Sequence, residues 1–220
     1  MMSGKGMDWV ILKDMDIVID EEEVSRIVGA GKREGAPPAG AAGERIGRAV
    51  GLARELAEPA AIYTVTEGKN IEGPPVFRQL KEMALCICTI GGKLEREVEN
   101  LSAEGSLLEA LALDTAGSVA VEGTADYVNG IIEQRAGREG KRTSLRASPG
   151  YGNWDIGAQK RIFEMAPAES IGVTLGEGMM MNPGKSISFA VHISENPVRL
   201  RSANDCGNCS RWDCPYRKES

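Results

Sequence analysis

Residues 83–90 read Met-Ala-Leu-Cys-Ile-Cys-Thr-Ile, and Gly91 and Gly92 follow at once. A run this short and this apolar is a strand covered on both faces, because a strand with one wet face would alternate polar and apolar residues. A sheet holding it needs a layer on each side, so the fold class is α/β or α+β. Alternation puts Cys86 and Cys88 on one face of the strand. Their plain reading is core thiols behaving as small hydrophobes, and paired ligation of a metal is the alternative.

The rest of the chain supplies the layers. Residues 9–12 and 17–19 are short extended segments, and Asp20 with Glu23 opens a brief helix through Ile27 in capping-box fashion. Residues 29–43 turn to Gly, Ala and Pro; the glycines at 29, 31 and 35 miss dinucleotide-loop spacing, so this is a linker. Ile46, Val50, Ala53 and Ala57 form one stripe of a helix over 44–58, stopped by Pro59. Strands are expected near 60–65, 143–147, 171–175 and 186–193 beside the central one. The longest helical pattern covers 106–136, where Gly117, Gly123 and Gly130 imply close packing or a break.

At 220 residues the chain fills one core, with 42% hydrophobic and 26% charged residues. Its formal charge of -6 argues against general nucleic-acid binding, which needs clustered Lys and Arg. No apolar run approaches the ~20 residues of a membrane helix. The first residues lack a signal peptide's apolar stretch, so a cytoplasmic location is expected, with the five cysteines as thiols or ligands rather than disulfides.

The chemistry gathers between 144 and 193. Residues 146–151 read Arg-Ala-Ser-Pro-Gly-Tyr. Pro then Gly makes a tight turn whose backbone can approach a flat ligand, Arg146 can grip a carboxylate through two hydrogen bonds, and Tyr151 offers a ring or a hydroxyl. The plain alternative is a structural turn with a solvated arginine. Next come a helix capped by Asp155 with Ile156, Ile162, Phe163 and Met165 as inward positions, a strand-like Ile-Gly-Val-Thr-Leu-Gly-Glu at 171–177, and Met-Met-Met-Asn-Pro-Gly-Lys-Ser-Ile-Ser at 179–188. Ile187, Phe189, Val191 and Ile193 share one face of the last strand and Ser186, Ser188, Ala190 and His192 the other. His192 is the sole histidine, for which a structural or surface place is the plain reading.

This ordered set resembles the reactivation domain of cobalamin-dependent methionine synthase, where such an arginine turn, helix, strand and Met-Pro-Ser segment form the S-adenosylmethionine site. The resemblance implies an α+β fold with a twisted, largely antiparallel mixed sheet and packed helices. It also implies a cofactor-binding set of Arg146, Ser148, Gly150, Tyr151, Met181 and Ser186, joined by an acidic residue of the long helix. Asp114 and Glu122 lie eight apart and so on one helix face; Glu122 is the favoured one, with a solvated charge as the alternative.

Beyond this core, Cys206, Cys209 and Cys214 stand at x2 and x4 spacing, which suits zinc or an iron-sulfur cluster. Only three ligands are local. Asp205, Asp213, His192, Cys86, Cys88, a water or a partner's group are the fourth-ligand candidates. A tail of reactive thiols is the alternative.

The sequence thus divides into an N-terminal segment and linker (1–43), a core (44–195) and a Cys-rich tail (196–220). Seven cations against two acids between 135 and 161 make a local basic stretch able to receive an acidic partner. The resemblance implies a stand-alone reactivation factor that presents S-adenosylmethionine to cobalamin carried by a methionine synthase or another corrinoid protein, with a flavodoxin- or ferredoxin-like electron donor. No Asp-x-His-x-x-Gly segment, which would supply a lower cobalt ligand, is present. A non-catalytic S-adenosylmethionine sensor and a small iron-sulfur electron carrier are the rival readings.

Overall fold

A computed structural model describes residues 7–29, 40–200 and 214. The linker at 30–39 and the tail cysteines Cys206 and Cys209 lie outside the described residues. Strand β1 (Val10–Lys13) leads into helix α1 (Glu21–Gly29), then α2 (Ala41–Leu56), β2 (Ala60–Thr66) and β3 (Met83–Thr89). Helix α3 (Lys93–Ala103) and the long α4 (Leu107–Arg138) follow, then β4 (Arg142–Thr143), α5 (Ala158–Met165), β5 (Thr174–Leu175), β6 (Met181–Asn182) and β7 (Ser186–Ser194).

Five strands form one sheet in the order β1-β2-β3-β7-β4, every neighbour antiparallel. The apolar run at 83–89 is its central strand, and all seven of its residues are buried. Antiparallel pairing explains how an α+β chain with few β-helix-β crossovers closes a sheet. Among the strands expected from sequence, 143–147 and 171–175 are shorter: β4 holds two residues, with an isolated bridge from Ala147 to Ala190, and β5 holds two, paired with β6 in a separate two-stranded sheet. Residues 17–19 stay outside strands and lead into α1, where Asp20 Oδ1 accepts the N–H groups of Glu22 and Glu23.

The sheet is covered on both sides. Against one face lie Ala125, Val128, Ile132 and Ala136 of α4, which meet Cys86, Cys88, Phe189 and Val191. Against the other lie Phe77, Trp154, Ile162 and Val173, which meet Ile62, Leu85, Ile87 and Ala190. Both faces of β7 are therefore dry, and the Ser186, Ser188 and His192 side is buried under a second layer. Of the helix positions expected to point inward, Ile162 is fully buried, Phe163 and Met165 partly so, and Ile156 is exposed. The helix starts at Ala158, three residues after Asp155, so Ile156 sits in the entry turn instead of on the inward stripe.

Helix α4 runs unbroken through its three interior glycines. Gly117 and Gly123 are close-packing sites: a Cβ would stand 2.7 Å from Leu94 Cδ2 at the first and 2.8 Å from the Val18 carbonyl oxygen at the second. Gly130 meets nothing. Small residues, Ala112, Ala116 and Ala120 among them, make the buried side of the helix, while Leu107 and Leu111 are exposed. No helix among the described residues is long and apolar enough to cross a membrane.

Candidate functional site

Arg146 sits on the arm that follows β4 along the edge of β7. Ala147 N–H donates to the Ala190 carbonyl at 2.9 Å and the Ala147 carbonyl accepts from the Ala190 N–H at 2.8 Å, and Ser144 N–H donates to the His192 carbonyl at 2.9 Å. That anchoring fixes which way the side chains leave. Arg146 points to the α4 side, where its Nη2 lies 2.8 Å from Glu122 Oε2 and 3.1 Å from Asp126 Oδ1. Its guanidinium carbon stands 5.4 Å from the centroid of Phe189, and only 12% of the side chain is exposed against 48% for Glu122 and 72% for Asp126. A half-sequestered cation over an aromatic face, faced by two open carboxylates, is a place where an α-amino acid headgroup can exchange partners. The ligand's carboxylate would take the guanidinium and its ammonium the acids.

The turn beside it is built from local hydrogen bonds. Gly150 N–H donates to the Trp154 carbonyl at 2.7 Å, and Tyr151 N–H donates to the Ser148 carbonyl at 3.2 Å. Gly150 adopts φ +90°, a backbone conformation that favours glycine, while the Ile156 Cδ1 that a Cβ would approach at 3.2 Å is the end of an exposed side chain. Ser148 is half-buried and Tyr151 is 52% exposed at the rim.

The remaining expected site residues lie elsewhere. Met181 pairs with Leu175 and packs on the sheet face away from α4. Ser186 stands four residues before Ala190, roughly 13 Å along an extended strand. Its Oγ donates to the Pro183 carbonyl at 2.7 Å and lies 2.9 Å from Thr89 Oγ1, so the hydroxyl is already engaged. The structure joins Arg146, Glu122 and the turn, and sets Met181 and Ser186 apart from the guanidinium. Asp126, one helical turn past Glu122, is the acid that sequence reasoning passed over; its i,i+4 spacing from Glu122 was the available signal. Asp114, the other acid on that face, is paired with Lys185 Nζ at 2.7 Å, and Ser118 Oγ accepts from the same ammonium at 2.9 Å.

Cys86 and Cys88 lie fully buried beneath this region. Burial pushes the Cys88 thiol up to about 12 and raises Cys86 as well, with the neighbouring Cys88 adding to the latter and Arg146 opposing both. They are inert core thiols, as their apolar strand implied. His192 Nδ1 accepts the Val198 N–H at 2.9 Å. Burial also lowers the His192 pKa, against the attraction of Glu82. Cys214 is a half-buried free thiol, and among the described residues no group of three or more potential ligands gathers to hold a metal.

Three of the seven cations in the basic stretch, Lys141, Arg146 and Arg161, are ion-paired internally, and Arg142 is engaged by a backbone carbonyl. Lys141 pairs with Glu82 at 2.6 Å and Glu139 at 2.7 Å, Arg161 with Glu164 at 3.1 Å, and Arg142 donates to the Glu195 carbonyl at 3.1 Å. Arg135, Arg138 and Lys160 are exposed and have no ion pair among the described residues.

No protein-family model matches the chain, and no curated protein matches it in sequence. A solved structure does: the reactivation domain of MetH bound to AdoHcy (S-adenosylhomocysteine), at 11% identity and a TM-score of 0.62, over 90% of this chain and 82% of that one. Identity so low speaks to architecture alone. The antiparallel sheet between a long helix and a smaller α/β layer, with Arg146 at its edge, is built on the fold of the MetH reactivation domain.

Proposed function

We propose that the protein binds S-adenosylmethionine at Arg146, Glu122, Asp126 and the turn through Tyr151, and acts as a stand-alone reactivation factor for a corrinoid protein. The observation that carries this reading is the Arg146 guanidinium held between two carboxylates of α4, beside a Pro-Gly turn, in a fold shared with a domain solved with AdoHcy. The corrinoid belongs to the partner, a methionine synthase or a related carrier. That corrinoid, reduced by one electron from a flavodoxin- or ferredoxin-like donor, would supply the nucleophile for the sulfonium methyl, with S-adenosylhomocysteine as the leaving group. This chain contributes the headgroup contacts and the placement of the methyl group at an open edge, where proximity supplies most of the rate.

Two further elements support an accessory role. Arg135, Arg138 and Lys160 are the cations of the 135–161 stretch left for an acidic partner. Cys206, Cys209 and Cys214 have the spacing of a metal or iron-sulfur site. When bound, such a group would either staple the tail or pass electrons.

The test mixes the full chain with a corrinoid protein poised in the cob(II) state, a low-potential reductant and S-adenosylmethionine, and follows methylcobalamin by absorbance. Formation that depends on this chain supports the proposal. Binding of S-adenosylmethionine with no methylcobalamin from any corrinoid partner of the same cell would leave the sensor reading in its place.

A further inference from the structure

The Arg146 guanidinium lies over the ring of Phe189, 5.4 Å from its centroid. The backbone sets this contact. Ala147 bridges Ala190, so in that register Arg146 stands opposite Val191 and diagonal to Phe189, with all three side chains on the α4 side of the sheet. Phe189 is fully buried between α4 and the sheet and pairs across the ladder with Cys86, so its ring is a fixed floor under the cation.

Polar contacts hold the same guanidinium by one nitrogen. Nη2 meets both Glu122 and Asp126, and among the described residues neither Nε nor Nη1 donates a hydrogen bond. Both acids are open to solvent, and both have to turn toward a ligand's ammonium. When they turn, the ring is the contact that stays, because it sits in the core and carries nothing that a ligand could draw off. An aromatic face within about 6 Å holds a guanidinium electrostatically, whereas an aliphatic side chain there would fill space without that attraction.

We propose that Phe189 is a positioning residue of the site: it keeps the Arg146 guanidinium in place for a ligand carboxylate while Glu122 and Asp126 change partners, and so makes the site select ligands that carry a carboxylate. Phe189 acts through Arg146 and touches no ligand atom in this role. An arginine that has to be ordered at the moment of binding lowers affinity by about two- to tenfold, which is the effect that loss of the ring's hold should have. The inference rests on the S-adenosylmethionine reading above.

Calorimetry on the full chain with S-adenosylmethionine and its decarboxylated counterpart tests it. Phe189→Leu would also empty space in a closed core, so the decisive variants keep the ring and carry one, two or three fluorines on it at position 189 alone, which weakens the negative ring face at nearly constant shape. Wild type is expected to favour the carboxylate-bearing compound by about tenfold or more. Successive fluorines should narrow that preference, by about two- to tenfold in all, while the decarboxylated compound binds as before and the melting temperature holds. A preference that survives three fluorines, or an equal loss for both compounds, overturns the positioning role and leaves the Arg146 site standing. Wild type that binds both compounds equally overturns the role together with the carboxylate contact at Arg146, and failure of both to bind overturns the S-adenosylmethionine reading and this inference with it.

Discussion

Arg146 Nη2 and Glu122 Oε2 lie 2.8 Å apart, so the guanidinium and the carboxylate satisfy each other. A zwitterionic headgroup has to open that pair and replace it. Loss of the charge-assisted hydrogen bonds to the ligand carboxylate in Arg146→Ala should cost about 1.5–3 kcal/mol, roughly one to two decades of affinity for S-adenosylmethionine. Arg146→Lys should recover little, because a point charge cannot reproduce the two parallel hydrogen bonds that a guanidinium fork makes to a carboxylate. Titration calorimetry on the three proteins decides the matter. Equal affinities would remove Arg146 from the site.

The glycines of α4 give a second, independent check on the fold. Gly130 faces open space within a helix, so Gly130→Ala should stabilise by about 0.4–1 kcal/mol through the unfolded chain's lost freedom. Gly123→Ala should destabilise by about 1–3 kcal/mol, because the new Cβ meets the Val18 backbone carbonyl, which cannot rotate away. At Gly117 the obstacle is the end of the Leu94 side chain, so the penalty should fall between the two. Urea melts rank them, and a stabilising Gly123→Ala would contradict the packing of α1's approach against α4.

His192 predicts a stability change with pH. Its folded pKa is depressed by burial, and an unfolded histidine titrates near ~6.5. The unfolded state therefore binds the proton first as pH falls. The neutral ring's contribution is whole above ~6.5 and is lost as pH drops from there through the lower folded value. Protonating Nδ1 also ends its acceptance of the Val198 N–H, so residues 198–200 should loosen in the same window. His192→Asn keeps an acceptor without a titrating ring. Melting temperatures between pH 7.5 and 5 should fall less steeply in that variant; parallel curves would acquit His192.

What the sequence made legible is local, and what it hid is the product of long-range pairing. The central strand could be read because seven apolar residues of the eight at 83–90 leave no wet face, and α1 because Asp20 caps it. The turn at 146–151 could be read because Pro and Gly restrict the backbone on their own. The neighbours of β3 could not be read, since β7 joins it from a hundred residues away and no residue of either strand encodes the partner. The same limit separated Ser186 from Arg146: alternation gave its face, but that face is covered by a second layer and the hydroxyl turns to Thr89. Asp126 was missed because a helix interrupted by glycines gives no firm phase from sequence. Once α4 is one continuous helix, Glu122 and Asp126 fall one turn apart.

The cysteine tail can be separated from the core at a point the structure marks. Leu200 is buried and walls the cavity beside Phe77 and Trp154, and Val198 is held by His192, so a chain ending at residue 204 keeps every described contact of the core except those of Cys214. Truncation there should leave the fold and S-adenosylmethionine affinity unchanged. Ending the chain at residue 196 should instead open the cavity wall and lower both. Protein purified without oxygen should carry zinc or an iron-sulfur chromophore that disappears in the 204 truncation and in Cys206→Ser, Cys209→Ser or Cys214→Ser, and a visible charge-transfer band would assign iron, because filled-shell zinc has none. With iron bound, the 204 truncation should bind S-adenosylmethionine normally yet lose the reductive step at the partner's cobalt. With zinc bound, turnover should fall only as far as docking weakens, and added salt should then slow both forms alike by screening Arg135, Arg138 and Lys160. Metal analysis that finds nothing in anaerobic material would reduce the three cysteines to free thiols.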